Sequence, residues 1–122
     1  MLLDSVRRFA EAEIAPIARQ LDKEEKFSEA LTRRMGKLGL FGIVIPEEYG
    51  GQGIDYLASA IVCEEIARVD GSQAGTIPAH NSLGIGPLYY FGNEVQRKKY
   101  IPQLCTVPTE NLIRLRRESG SL

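Results

Sequence analysis

His80 is the only histidine in the chain. An imidazole titrates near neutrality, so a single histidine is a first candidate for a general base or a polar group at a ligand pocket. No motif sets a serine–aspartate pair or a cysteine beside it, and a surface or satisfied buried histidine is the favoured reading. Gly50, Gly51, Gln52 and Gly53 make a glycine-rich turn. A phosphate cradle of the dinucleotide type needs a strand, a G-x-G-x-x-G spacing and a following helix. That spacing is missing, so a tight structural turn is expected. Glu64 and Glu65 are adjacent. On a helix, neighbours diverge by about 100 degrees, so the two carboxylates cannot share a substrate, and a solvated face is expected. Cys63 and Cys105 are too few for a disulfide framework or a metal site. Neither has a base or helix start beside it to lower its pKa, which makes both packing residues. Arg114, Arg116 and Arg117 form a short basic patch diluted by Glu110 and Glu118, and a solvated tail is expected there rather than a nucleic-acid contact.

The elements that must hold these residues belong to a chain of 122 residues with a net charge of -1. That length suits one domain with a real core. Near-neutral charge removes a chain-wide case for nucleic acid or anionic membrane. No run of about 18 apolar residues is present, so no transmembrane helix is expected. Asp4, Arg7 and Arg8 interrupt the first ten residues, and Glu11 and Glu13 follow, which fits neither a signal peptide nor a mitochondrial presequence. A cytoplasmic location is the expectation.

Leu3, Val6, Ala10, Ile14, Ile17 and Leu21 recur at helical steps, so the first 22 residues read as an amphipathic helix, kinked or broken at Pro16. Ser28 is suited to cap a second helix with Leu31, Met35 and Leu38 on one face, and Gly39 to end it in the left-handed conformation. Residues 40–46, LFGIVIP, read as a short buried extended segment. Asp55 is suited to cap a third helix to about Val69, with Leu57, Ile61 and Ala67 facing one way. Ser72 is then expected to cap a segment from Gln73 to about Ile85, with a break at Gly84, Gly86 and Pro87. Asn93 and Gln96 fit a capping box, and Pro102 is expected to close that helix. Residues 106–122 have neither a cap nor a clear stripe and read as a weakly ordered tail. The fold class is therefore all-α, an irregular bundle of five or six helices with one short extended segment.

The order of segments resembles the amino-terminal domain of acyl-CoA dehydrogenases. RRFAEAEIAPIARQLDKEEKF (7–27), MGKLGLFGIVIPEEYGGQGID (35–55), IVCEEIARVDGS (61–72), HNSLG (80–84) and FGNEVQRKKYIPQL (91–104) carry the resemblance, in order and at the family's spacing. It covers about residues 3–105. The resemblance implies an FAD flavoprotein that dehydrogenates the α,β carbons of acyl-CoA thioesters and passes electrons to electron transfer flavoprotein, commonly as a homotetramer. It implies an amino-terminal helical domain at 1–105 and a divergent tail at 106–122. The middle β domain and the carboxy-terminal bundle, which carries the family's catalytic glutamate, are expected to be absent from these 122 residues. From about Val107 the sequence leaves the family pattern, as a truncation or frame shift would, and no catalytic residue is carried over. One feature is: Ala79, His80 and Leu83 match the helix that walls the distal end of the acyl-chain pocket. Alone, the chain is expected to be inactive, to hold FAD weakly and to expose apolar surface that favours self-association. The rival readings are a non-enzymatic helical interaction module and a small helical DNA-binding protein using the basic tail.

Overall fold

The computed structural model describes residues 2–106. Among these residues every regular element is helical. Helices α1 (Leu2–Phe9) and α2 (Ala15–Lys23) form one rod through a wider turn at Ala10–Ile14. Helices α3 (Glu29–Lys37) and α4 (Tyr56–Ala67) follow. Helices α5 (Gly71–Pro78) and α6 (Gly86–Phe91) make another continuous rod through a second wider turn, Ala79–Ile85, and α7 (Glu94–Thr106) completes the set. The all-α expectation holds, with five helical rods among the described residues.

Both wider turns have the same cause. Pro16 and Pro87 each sit in the first turn of a helix that continues from an earlier one. A proline there would push against the carbonyl four residues before it. The chain avoids this by winding out by one residue just ahead of the ring. Ala15 N–H donates to the carbonyl of Ala10, and Gly86 N–H to that of Asn81, each five residues back. The kink expected at Pro16 is thus a widened π-type turn, and the break expected at residues 84–87 does not occur.

Local caps follow the sequence. Ser28 Oγ accepts from Leu31 N–H at 3.2 Å, and Asp55 Oδ1 from Ala58 N–H at 2.8 Å. Asn93 and Gln96 exchange two hydrogen bonds of 2.9 Å. Gly39 takes φ +81°, the left-handed stop. One cap differs: Asp70, not Ser72, closes the start of α5, accepting from the N–H groups of Ser72 and Gln73 at 2.9 and 3.2 Å. Helix α5 starts at Gly71, which puts Asp70 at the capping position and Ser72 inside the first turn.

Residues 40–46 are a correction. They are largely buried, as expected, but wind through consecutive turns: Gly42 N–H bonds to Gly39 O and Ile45 N–H to Gly42 O, both at 3.3 Å. Residues 52–54 then lie against them. The N–H groups of Gln52, Gly53 and Ile54 bond to the carbonyls of Gly42, Ile45 and Ile43 at 2.8 Å each. Leu40, Phe41, Ile43 and Ile45 can all be buried because the folded loop pairs its own backbone. Pro102 is a second correction. Helix α7 passes through it to Thr106. Interior proline costs about 3 kcal/mol, whereas burying Ile101, Leu104 and Cys105 returns about 1.5–3 kcal/mol for each large side chain. Leu38, Leu57 and Ala67 also differ, lying exposed rather than inward; Val62, Glu65 and Ile66 form the buried side of α4.

The core has two parts. One joins α1, α3, α4 and α5 around Ile14, Met35, Phe41 and Ile66. The other sets Ile85 and Tyr49 against Ile101 and Leu104 of α7. The tail expectation concerns residues that, apart from Thr106, lie outside those described.

Candidate functional site

The π-type turn at Ala79–Ile85 holds all three residues of the expected pocket wall and splits them between its two sides. Ala79 and Leu83 face outward, and Leu83 is 77% exposed. His80 faces inward and is 7% exposed. Its Nε2 lies 2.7 Å from the carbonyl oxygen of Leu104. A carbonyl only accepts, which assigns the ring proton to Nε2. The ring also stands edge-on to Phe41, with centroids 4.9 Å apart and planes at 74°. Burial pulls the imidazole below its ordinary pKa, and the Leu104 carbonyl offsets only part of that. The group is therefore neutral at pH 7 and engaged. It ties the second rod to the last turn of α7.

Asn81 makes the next anchor. Its Nδ2 donates to the carbonyls of Leu40 and Ile77 at 3.0 and 2.9 Å. Its Oδ1 is buried with no hydrogen-bond partner among the described residues. His80 and Asn81 together fix the rotation of the turn, and so decide that Ala79 and Leu83 point out. Further along the same rod Pro87, Tyr90 and Phe91 are exposed. The Tyr90 hydroxyl lies 2.9 Å from that of Tyr56 at the start of α4.

The remaining candidates are structural. Every N–H group of residues 50–53 is occupied: Gly50 bonds to Glu47 O, Gly51 to Pro46 O, Gln52 to Gly42 O and Gly53 to Ile45 O. None is left to cradle a phosphate. A Cβ on Gly51 would collide with the backbone oxygen of Ile45, which accounts for a glycine there. Glu65 overturns the solvated reading of the glutamate pair, although Glu64 is exposed. Arg7 Nε donates to Glu65 Oε2 at 2.8 Å and Arg7 Nη2 to Oε1 at 2.9 Å, and Arg68 Nη1 adds a bond of 3.2 Å. The Arg7 bonds hold the carboxyl below its ordinary pKa. This fork clamps α1 to α4. Tyr49 donates to Glu94 Oε2 at 2.8 Å, tying the glycine-rich turn to α7. Burial pushes the Cys105 thiol up to about 11, far from a reactive thiolate. Cys63 is half-buried, its Sγ 3.8 Å from Ala74 O. Arg114, Arg116 and Arg117 lie outside the described residues.

The glutamate clamp, the Tyr49 bond and the Tyr56–Tyr90 contact are not visible as motifs. Their partners are 58, 45 and 34 residues apart in sequence.

The family pattern of the acyl-CoA dehydrogenase N-terminal domain matches residues 1–108. The chain belongs to that family. It is 46% identical over 101 residues to the human mitochondrial short-chain specific acyl-CoA dehydrogenase, covering 83% of this chain and 24% of that protein. Among solved structures, a chain described as electron transferring flavoprotein of Acidaminococcus fermentans superposes with a TM-score of 0.84 at 37% identity, over 88% of this chain and 28% of that one. Acyl-CoA dehydrogenase from Bacillus anthracis, complexed with FAD, superposes with a TM-score of 0.77 at 41% identity, over 87% and 18%. The chain thus spans about a quarter of the length of the curated relatives it matches. No helix among the described residues is long and apolar enough to cross a membrane.

Proposed function

We propose that residues 1–105 are the amino-terminal helical part of an FAD-dependent acyl-CoA dehydrogenase and form one wall of its acyl-chain pocket. The observation that carries this is the outward, uncharged face of the second rod, within a chain matched to that family over residues 1–108. Ala79 and Leu83 supply the apolar surface, and His80 acts from behind as the group that orients them. The name of the human relative favours a short acyl chain. A cytoplasmic enzyme that passes its electrons to electron transfer flavoprotein fits the same reading.

The reaction removes a proton from the α carbon and a hydride from the β carbon, and FAD is the group that accepts the hydride. The glycine-rich turn among the described residues does not fit the diphosphate of FAD. The turn at residues 50–53, the one glycine-rich loop among them, has no free N–H for the diphosphate. No step through the flavin is therefore assigned to this chain. His80 is buried against Leu104, so it is not a base for the α proton. Dehydrogenation needs a placed base, a placed cofactor and donors on the thioester carbonyl. Their supply falls to the length that the relatives carry beyond the match.

The test has two arms. The purified 122-residue chain, given FAD and a panel of acyl-CoA esters, should neither turn yellow stoichiometrically nor bleach. A chimera in which residues 2–106 replace the matched part of the human short-chain relative should bind FAD and bleach with acyl-CoA. In it, Leu83→Trp should raise KM for longer acyl chains more than for shorter ones. A folded, flavin-loaded chimera indifferent to bulk at residues 79 and 83 would remove the wall assignment.

A further inference from the structure

In a helix each carbonyl is filled by an N–H group further along the chain. The second rod breaks that sequence of pairings. Gly86 N–H takes the carbonyl of Asn81, five residues back. Residue 87 is proline and brings no N–H. Helix α6 begins at Gly86, so its first regular bond runs from Tyr89 N–H to the carbonyl of Ile85. The carbonyls of Ser82, Leu83 and Gly84 are left with one N–H between them, that of Leu88. Two of the three therefore have no backbone donor of their own. The Ser82 hydroxyl does not serve them, because it donates back to the carbonyl of Pro78. Ser82 and Leu83 both lie on the outer side of the turn, with Ala79.

A wall that met only methylene groups would bury these acceptors unpaired, which is costly. We propose that they accept a hydrogen bond from the substrate, and that the substrate class is acyl-CoA thioesters with a hydroxyl beyond the β carbon. This rests on the acyl-chain reading above and deepens it. Residues 71–93 include no aspartate or glutamate to balance a cation, so a neutral donor fits where an ammonium does not. A hydroxyl beyond the β carbon also leaves intact the two C–H bonds that the reaction breaks. The first rod winds out in the same way ahead of Pro16, but its turn carries Glu11 and Glu13, as a hydrated surface does.

The flavin-loaded chimera with the human short-chain relative tests this by competing kcat/KM values. The probes are γ-hydroxybutyryl-CoA against butyryl-CoA, and δ-hydroxypentanoyl-CoA against pentanoyl-CoA. At one of the two lengths the hydroxylated ester should be preferred at least about threefold, the worth of one neutral hydrogen bond. Pro87→Ala supplies the missing N–H and should bring that ratio to one or below. Pro16→Ala, the same change in the first rod, should leave the ratio as it was. Preference for the unsubstituted esters at both lengths would overturn the proposal, and this needs no variant to fold. A ratio unmoved by Pro87→Ala, or moved equally by Pro16→Ala, would overturn it as well. In either case a retained response to Leu83→Trp keeps the wall and removes only its acceptors. Loss of that response removes the wall, and this inference with it.

Discussion

Replacing His80 with phenylalanine removes one hydrogen-bond donor and keeps a ring of similar shape beside Phe41. The Leu104 carbonyl then loses its 2.7 Å partner. An orphaned buried acceptor costs about 1–3 kcal/mol. The slightly larger ring gains a little apolar burial but must fit a packed site, so a net loss of about 2 kcal/mol is expected. For a domain near 100 residues this lowers Tm by roughly 10 °C. The loss also depends on pH in a way that a packing defect does not. His80 has its pKa lowered in the folded state by burial. Above the unfolded value of about 6.5 the ring is neutral in both states, and its contribution is complete. As pH falls below that value the unfolded chain takes up a proton that the folded chain resists. Wild-type stability therefore declines toward and through the folded pKa. The phenylalanine variant has no such proton to bind. Urea unfolding at pH 7.5, 6.5 and 5.5 should show a wide gap between the two proteins that narrows on acidification. A constant gap, or an unchanged midpoint at pH 7.5, would refute the assignment of His80 as a neutral Nε2–H donor.

Gly51→Ala should lose about 3 kcal/mol, the upper end for overpacking, because the obstruction is the backbone of Ile45; thermal unfolding measures it. Gly75→Ala lies in α5 with no neighbour within 4 Å of the added Cβ, and should gain about 0.5–1 kcal/mol by the same assay. Glu25 ends α2 at φ +54°, so Glu25→Gly should raise stability by up to about 1 kcal/mol, read from the urea midpoint. Glu65→Gln should lower the urea midpoint at pH 7. Its carboxyl has a lowered pKa, so the wild-type advantage should be complete above the ordinary glutamate value and fade as pH falls through the folded one.

What could be read in advance was local. The caps at Ser28, Asp55 and Asn93 depend on residues three apart, and the sequence displays them directly. The left-handed stop at Gly39 is equally local. The π-type turns need two facts at once: a proline, and enough packing on both sides to keep the helix going. Proline alone reads as a break. Pro102 failed as a stop for the same reason, since burial of Ile101, Leu104 and Cys105 lies beyond it. The β-branched residues of LFGIVIP favour an extended reading, but its carbonyls pair with the N–H groups of residues 52–54 across a wound loop. Helical divergence separates Glu64 from Glu65 but does not say which faces water, and the partner that holds Glu65, Arg7, is 58 residues away. The resemblance points to Ala79, His80 and Leu83 together, and only the structure divides the two outward residues from the inward one.

The shifted titratable groups among the described residues serve the fold. A catalytic group has a perturbed pKa because it faces a cleft where a substrate will complete its surroundings. Here the perturbing neighbours are already in place and belong to other helices. Arg7 holds Glu65 across α1 and α4, Tyr49 holds Glu94 on α7, and Leu104 holds His80 across the second rod and α7. Cys105 is shifted by apolar burial alone. Glu65, Glu94 and His80 each join one element to another through an occupied polar atom, and Cys105 is enclosed. The surface left open, around Leu83, Tyr90 and Phe91, carries no ionisable charge at neutral pH. It is an apolar face whose rotation is held from the inside by His80 and Asn81.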